Sequence, residues 1–175
     1  DHVSALPSKA ARLTRLSAKL LELTRLDTKP PETLSTVAVL PVADRVLRML
    51  NPLARKQNIR LDLDCPADCA ITATADDLYQ ILFNLVENGI KYNVEGGRVL
   101  LLARTDPDLV RIDVEDTGMG IPDIEKSRIF ERFYRVDKAR SRKAGGAGLG
   151  LSIVHDMVLR NRGSIEVSDG ENGGT

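Results

Sequence analysis

Lys29-Pro30-Pro31 splits this chain into two kinds of sequence that cannot belong to one helix. Proline disfavours the αR state in the residue before it and donates no backbone hydrogen bond, so a helix running up to Lys29 stops there. Upstream, residues 4–27 repeat with helical period. Leu6, Leu13 and Leu20 fall seven apart, and Leu16 and Leu23 occupy the d positions of the same heptad. Lys9 interrupts that register, Leu21 and Leu26 widen the stripe, and Arg12, Arg15, Lys19, Glu22 and Arg25 take the other faces. Such a stripe needs cover, either from a partner helix in a coiled coil or from the domain that follows. The division expected is therefore 1–30, a helix with its linker, and 31–175, a separate domain.

Downstream, period two and period 3.6 alternate. Strands are expected at 35–39, 59–63 and, more weakly, 70–73. A helix is expected from Pro41, with Val42, Val46, Met49, Leu50 and Leu53 on its apolar side. A second helix spans 76–92 with Leu78, Ile81, Leu82, Leu85 and Val86 buried. Residues 98–105 and 109–115 flank Asp106-Pro107-Asp108 and form a hairpin. Residues 117–147 carry many charges and few apolar anchors, as a mobile lid would. A helix at 149–160 and a last strand at 164–168 follow. Strands and helices interleave without strict βαβ repetition, so the fold expected is α+β: a two-layer sandwich, a mixed sheet with helices on one face.

Charge narrows the function. Twenty-five Lys and Arg balance 25 Asp and Glu, which leaves no cationic surplus for displacing phosphate counterions, so nucleic acid is an unsuitable partner. Aromatics make up 3% and Trp is absent, which removes a base-stacking platform. No apolar run nears the roughly 20 residues that span a bilayer. Cys65 and Cys69 are too few for a disulfide framework, and without further Cys or His neighbours they make no metal site.

Four segments carry chemistry. Asn84 and Asn88 are four apart on one helix face, with Lys91 a turn further; amide oxygens suit Mg²⁺ and an ammonium suits phosphate, although a solvated polar face has the same pattern. Asp116-Thr117-Gly118-Met119-Gly120 ends a strand with a carboxylate, an acceptor for an exocyclic amine, beside glycines that admit a ligand closely. Phe130-Glu131-Arg132-Phe133-Tyr134-Arg135 combines rings with arginines, which grip phosphate bidentately. Gly145-Gly146-Ala147-Gly148-Leu149-Gly150 opens a helix, where bare N–H groups and the dipole favour an anion. It lacks the Lys-Ser/Thr ending of a Walker A loop.

In this order and spacing the segments resemble the N, G1, F and G2 boxes of the catalytic, ATP-binding domain of two-component sensor histidine kinases, a branch of the Bergerat-fold ATPases. The leucine-rich helix resembles the second helix of that family's dimerisation and phosphoacceptor hairpin. The resemblance implies ATP and Mg²⁺ as cofactors, Asn88 as the metal ligand with Asn84 on the same metal–phosphate face, and Lys91 and Arg135 as phosphate contacts. Asn84, Lys91 and Arg135 are then the catalytic set. It further implies Tyr92 and Asp116 at the adenine, and Gly118, Gly120, Ile121, Tyr134, Gly146, Ala147, Gly148, Leu149 and Gly150 around the pocket and lid. Related gyrase, mismatch-repair and chaperone ATPases carry a water-activating glutamate where Asn84 stands. An amide takes no proton, so Asn84 favours phosphoryl transfer over hydrolysis.

The implied activity is transfer of the ATP γ-phosphoryl to a histidine outside this segment, for relay to an aspartate on a response regulator receiver domain. The implied setting is a homodimer joined through the helical hairpin, on the cytoplasmic side of a membrane-anchored sensor. His2 lacks the acidic and Arg-Thr-Pro context of the family's acceptor, and His155 sits at the boundary of a helix stripe. A serine kinase of the anti-sigma type and a nucleotide-binding pseudokinase are the rival readings.

Overall fold

The computed structural model describes residues 33–132, 134, 150–171 and 173–175. The leucine-rich helix expected at 4–27 and the boundary at residue 30 lie outside them. Eight elements follow in order: β1 (Ser35–Ala38), α1 (Val39–Lys56), β2 (Arg60–Asp64), β3 (Ala70–Ala73), α2 (Ala75–Lys91), β4 (Arg98–Thr105), β5 (Val110–Asp116) and α3 (Gly150–Arg160).

The strands divide into two sheets instead of one. β1 pairs antiparallel with β3, and a mixed three-stranded sheet runs β2-β4-β5, parallel on one side of β4 and antiparallel on the other. The α+β class and the mixed pairing are those expected from the sequence. As the central strand, β4 buries Val99, Leu101 and Ala103 on one face and Leu102 on the other. α2 is the crossover element between parallel β2 and β4, and it packs on β4 and β5 while α1 packs on β2 and α2.

α1 begins at Val39, two residues before Pro41. Ala38 offers no capping side chain, and the Val39 N–H donates to the Cys69 carbonyl at 3.0 Å instead. Pro41 is therefore the third helical residue, where its missing N–H still has no intrahelical partner to lose. The buried line is Val39, Ala43, Val46, Leu50 and Ala54, with Val42 and Leu53 on its shoulders. Met49 is 62% exposed, contrary to expectation, because at 100° per residue it points well away from that line. α2 is capped by Thr74, whose Oγ1 accepts from the Asp77 N–H at 3.3 Å, and Leu78, Leu82, Val86 and Ile90 meet the α1 line to form the core.

The strand expected at 164–168 does not form. Half-buried Ile165 and Val167 alternate with exposed Ser164, Glu166 and Ser168, yet the segment pairs with no strand among the described residues. Alternation marks one chain's fit to a surface; a strand needs a ladder partner as well.

The expected lid is not uniform. Its first part is held to the body: Ile129 is buried, Phe130 stacks on His155 of α3 with ring centroids 5.4 Å apart, and Lys126 donates to Asp169 at 2.9 Å. Residue 133 and the remainder, 135–147, lie outside the described residues.

Candidate functional site

α2 carries the first group of candidates. Asn84 is only 3% exposed, which rules out the solvated-face reading for this residue. Its Nδ2 makes no hydrogen bond among the described residues. A buried amide donor without an acceptor costs about 1–3 kcal/mol, so this group fits a ligand that brings an acceptor oxygen, such as a phosphate. Asn88, one turn on, is half-buried and turns toward the start of α3. A Cβ added at Gly150 would lie 3.8 Å from the Asn88 Nδ2. The N-terminal end of α3 thus faces the amide of Asn88.

Lys91 is held by its own helix. Its Nζ donates to Glu87 at 2.9 Å, and both side chains are about four-fifths buried, so a phosphate at Lys91 would compete with that carboxylate.

Gly89 lets the helix close on the sheet. A Cβ there would sit 3.1 Å from Val99 and 3.5 Å from the Cβ of Asp116, so the absent side chain brings α2 directly against the end of β5. Asp116 therefore lies beside the helix that carries the asparagines. Its carboxylate accepts from the Gly118 N–H at 2.9 Å and from the Thr175 N–H at 3.2 Å. Burial pushes its pKa up, and these two backbone donors only partly oppose that. Gly118 cannot carry a side chain: a Cβ would fall 2.5 Å from the Tyr92 carbonyl oxygen and 3.0 Å from the Asp116 carboxylate. The loop after β5 is thereby pressed onto the C-terminal end of α2, with the Met119 N–H reaching the Tyr92 carbonyl at 3.5 Å.

The structure therefore gathers Asn84, Asn88, Tyr92, Asp116, Gly118 and Gly150 into one region. Gly120 and Ile121 follow on the same loop, both half-buried. Tyr134 stands apart from this group in its contacts, with the Arg128 guanidinium 4.5 Å above its ring. Arg135, Gly146, Ala147, Gly148 and Leu149 lie outside the described residues.

Sequence reasoning missed several residues that shape the region. Thr175 donates to Asp116, and the Asp116 N–H in turn donates to the Thr175 carbonyl at 2.7 Å. The glycines before Thr175 were the available signal for such a close approach. Asn93 and Thr117 form a second support: the Thr117 hydroxyl donates to the Asn93 Oδ1 at 3.1 Å and accepts from the Arg98 N–H at 2.8 Å, which ties the loop after β5 to the start of β4. Only the position of Thr117 beside Asp116 hinted at this. Cys65 and Cys69 are free thiols at the ends of β2 and β3; burial and the neighbouring Cys69 push the Cys65 thiol up to about 11, which keeps it protonated and unreactive.

An α+β fold with a half-buried carboxylate at a strand end, beside an asparagine-bearing helix, is that of the catalytic ATP-binding domain of the sensor histidine kinase type. The chain belongs to the histidine kinase-, DNA gyrase B- and HSP90-like ATPase family, whose pattern matches residues 73–175. It is 33% identical to sensor histidine kinase WalK of Bacillus subtilis over 172 residues, 96% of this chain and 28% of that protein. Among solved structures it is similar to full-length ShkA in complex with AMPPNP, at 31% identity and a TM-score of 0.78, covering 95% of this chain and 35% of that one. It also shares its fold with histidine kinase ThkA in complex with response regulator TrrA, at 24% identity and a TM-score of 0.76, over 99% of this chain and 50% of that one. The chain thus spans well under half the length of the curated relative it matches.

Proposed function

We propose that this domain binds Mg²⁺-ATP between α2, the loop after β5 and the N-terminal end of α3, and delivers the γ-phosphoryl to a histidine other than His2 and His155. The observation that carries the reading is the buried amide donor of Asn84, without a partner among the described residues, on the helix that also turns Asn88 toward Gly150. Membership of an ATPase family and likeness to a kinase holding AMPPNP support it.

In this reading Asp116 accepts the adenine amine, Tyr92 and Ile121 flank the base, and Gly118 and Gly120 let the loop after β5 fold closely beside it. Asn88 holds Mg²⁺, which neutralises charge on the phosphates when bound. Asn84, Lys91 and Arg135 contact the phosphate oxygens, and Tyr134, Gly146, Ala147, Gly148, Leu149 and Gly150 form the closing side. Catalysis is then positioning and charge neutralisation. Asn84 has no basic atom for activating water, so bound ATP is kept for transfer. Residues 1–30 serve as part of a dimerising hairpin with its linker, and 31–175 as the catalytic domain. The same reading gives a response regulator receiver domain as the downstream partner, a dimer through the hairpin, and a place on the cytoplasmic side of an anchored sensor. No described helix is long and apolar enough to cross a membrane.

The test is incubation with γ-labelled ATP. Alone, the chain remains unlabelled and hydrolyses ATP slowly; with a complete phosphoacceptor hairpin added, an acid-labile, alkali-stable label appears on the hairpin. Asn84→Glu raises hydrolysis. Robust labelling of the chain at His2 refutes the proposal.

A further inference from the structure

α2 and α3 are antiparallel, and their contacts at the two ends differ in kind. At one end Gly150 faces Asn88, where a Cβ on the glycine would lie 3.8 Å from the Asn88 Nδ2. At the other, a closed polar cluster joins the helices. The Arg160 Nε donates to the Asp77 Oδ2 at 2.9 Å while its Nη2 donates to Oδ1, the two-pronged geometry of a guanidinium on a carboxylate. Asn161 adds a third donor to the Asp77 Oδ2 at 2.7 Å, and its own Oδ1 accepts from the Thr74 N–H at 2.9 Å. Asp77 is 5% exposed, and the Arg160 side chain is mostly buried too.

Geometry transmits this end of the helix pair to the other. At about 1.5 Å per residue, Asp77 to Asn88 along α2 spans about 16 Å, and Arg160 to Gly150 along α3 about 15 Å. A fixed contact at Asp77–Arg160 therefore sets which turn of α2 the first turn of α3 meets. A slip by one turn, about 5.4 Å, would carry Gly150 and the first turn of α3 away from Asn88. The apolar contacts between the helices tolerate such sliding better, because hydrophobic burial is non-directional, whereas a three-donor carboxylate has one register.

We propose that Asp77, Arg160 and Asn161 are positioning residues that fix the register of α3 on α2, and so hold the N-terminal end of α3 where the phosphates of a nucleotide meet Asn88. The phosphate part rests on the nucleotide reading above; the register part does not. The cluster touches neither base nor phosphate. Its effect is selective: Asp116 is carried by β5 and its carboxylate is held by the Gly118 and Thr175 N–H groups, so its placement does not depend on the register of α3.

The full chain is compared with Arg160→Lys, which keeps the charge but loses the fork, and with Asp77→Leu/Arg160→Met, which replaces the pair by apolar groups of similar volume and leaves Asn161 bonded to Thr74 and the Met157 carbonyl. Calorimetry with adenosine and with Mg²⁺-AMPPNP reads the two sides of the site separately. The double variant is expected to unfold within a few degrees of wild type, to bind adenosine within twofold, and to bind Mg²⁺-AMPPNP at least tenfold more weakly, with Arg160→Lys in between. Parallel losses for both ligands, or unchanged AMPPNP affinity, overturn the proposal. Hydrogen exchange without nucleotide is the second arm: amides 150–154 lose protection in the double variant while 82–90 keep theirs. If wild type binds neither ligand, the nucleotide reading fails alone, and unaltered exchange at 150–154 then overturns the register proposal by itself.

Discussion

The backbone N–H of Thr175 donates to the carboxylate of Asp116 at 3.2 Å, on the same oxygen that the Gly118 N–H reaches at 2.9 Å. Two donors 59 positions and two positions away along the chain hold one half-buried acceptor in place. They leave its second oxygen for a ligand, and burial outweighs them in setting its proton affinity.

That balance fixes the pH dependence of nucleotide binding. Burial raises the Asp116 pKa, so the group takes up a proton at higher pH than an ordinary aspartate. A protonated carboxyl is a poorer acceptor for an adenine amine. Affinity is expected to fall on acidification before free aspartates titrate, and Asp116→Asn is expected to bind weakly with no such fall. The sign for stability is opposite: the folded state binds the proton more tightly, so this group's contribution to stability declines as pH rises through the window between the unfolded and folded values, and is constant above it. Calorimetry and thermal unfolding across that window check both.

Asn84 is expected to trade stability for binding. Asn84→Leu removes a buried donor that lacks an acceptor among the described residues, a defect of about 1–3 kcal/mol, so the ligand-free melting temperature is expected to hold or rise. The same change is expected to weaken Mg²⁺-AMPPNP binding at least tenfold, about 1.4 kcal/mol. A lower melting temperature with unchanged affinity contradicts the assignment.

Glu87 competes for Lys91. Glu87→Gln releases the ammonium that now bonds Glu87 at 2.9 Å and removes a negative charge near incoming phosphates. Nucleotide affinity is expected to tighten about two- to tenfold at low ionic strength and to approach wild type in high salt, where screening shortens the reach of both charges. Equal affinities at low salt would mean that Lys91 does not meet the phosphates.

Arg162 holds a position better suited to glycine. α3 ends with the Gly163 N–H on the Val158 carbonyl at 2.9 Å and the Arg162 N–H on the Leu159 carbonyl at 3.0 Å, a Schellman closure that places Arg162 at φ 61°. The left-handed state costs a side-chain-bearing residue roughly 1–2 kcal/mol, less about 0.4–1 kcal/mol for the looser unfolded chain of glycine, so Arg162→Gly is expected to stabilise by about 0.5–1 kcal/mol. Thermal unfolding is expected to shift up by about 1–4 °C. Arg162→Val is expected to shift it down.

Much of the fold was legible because its signals are local. The helix carrying Asn84 and Asn88, the hairpin around Asp106-Pro107-Asp108 and the strand ending at Asp116 each follow from a periodicity or a turn residue within a dozen positions. Met49 was misplaced for a related reason: a helical stripe read from residue types alone admits a neighbour that burial does not. The segment at 164–168 shows the limit more sharply. Its alternation of Ile165 and Val167 is real and half-buried, but pairing depends on an available edge elsewhere in the molecule.

The sequence by itself determined which residues are chemically able to meet a nucleotide and which helices and strands present them, because side-chain chemistry and backbone periodicity are properties of short stretches. The tertiary structure alone decided that the Asn84 Nδ2 is buried without a partner among the described residues, that Lys91 is occupied by Glu87, that Asp116 is held by Thr175, and that Arg160 meets Asp77 across 83 positions. Burial, desolvation and hydrogen bonding depend on which distant segments come to lie within about 3 Å of a group, and no local pattern encodes that distance.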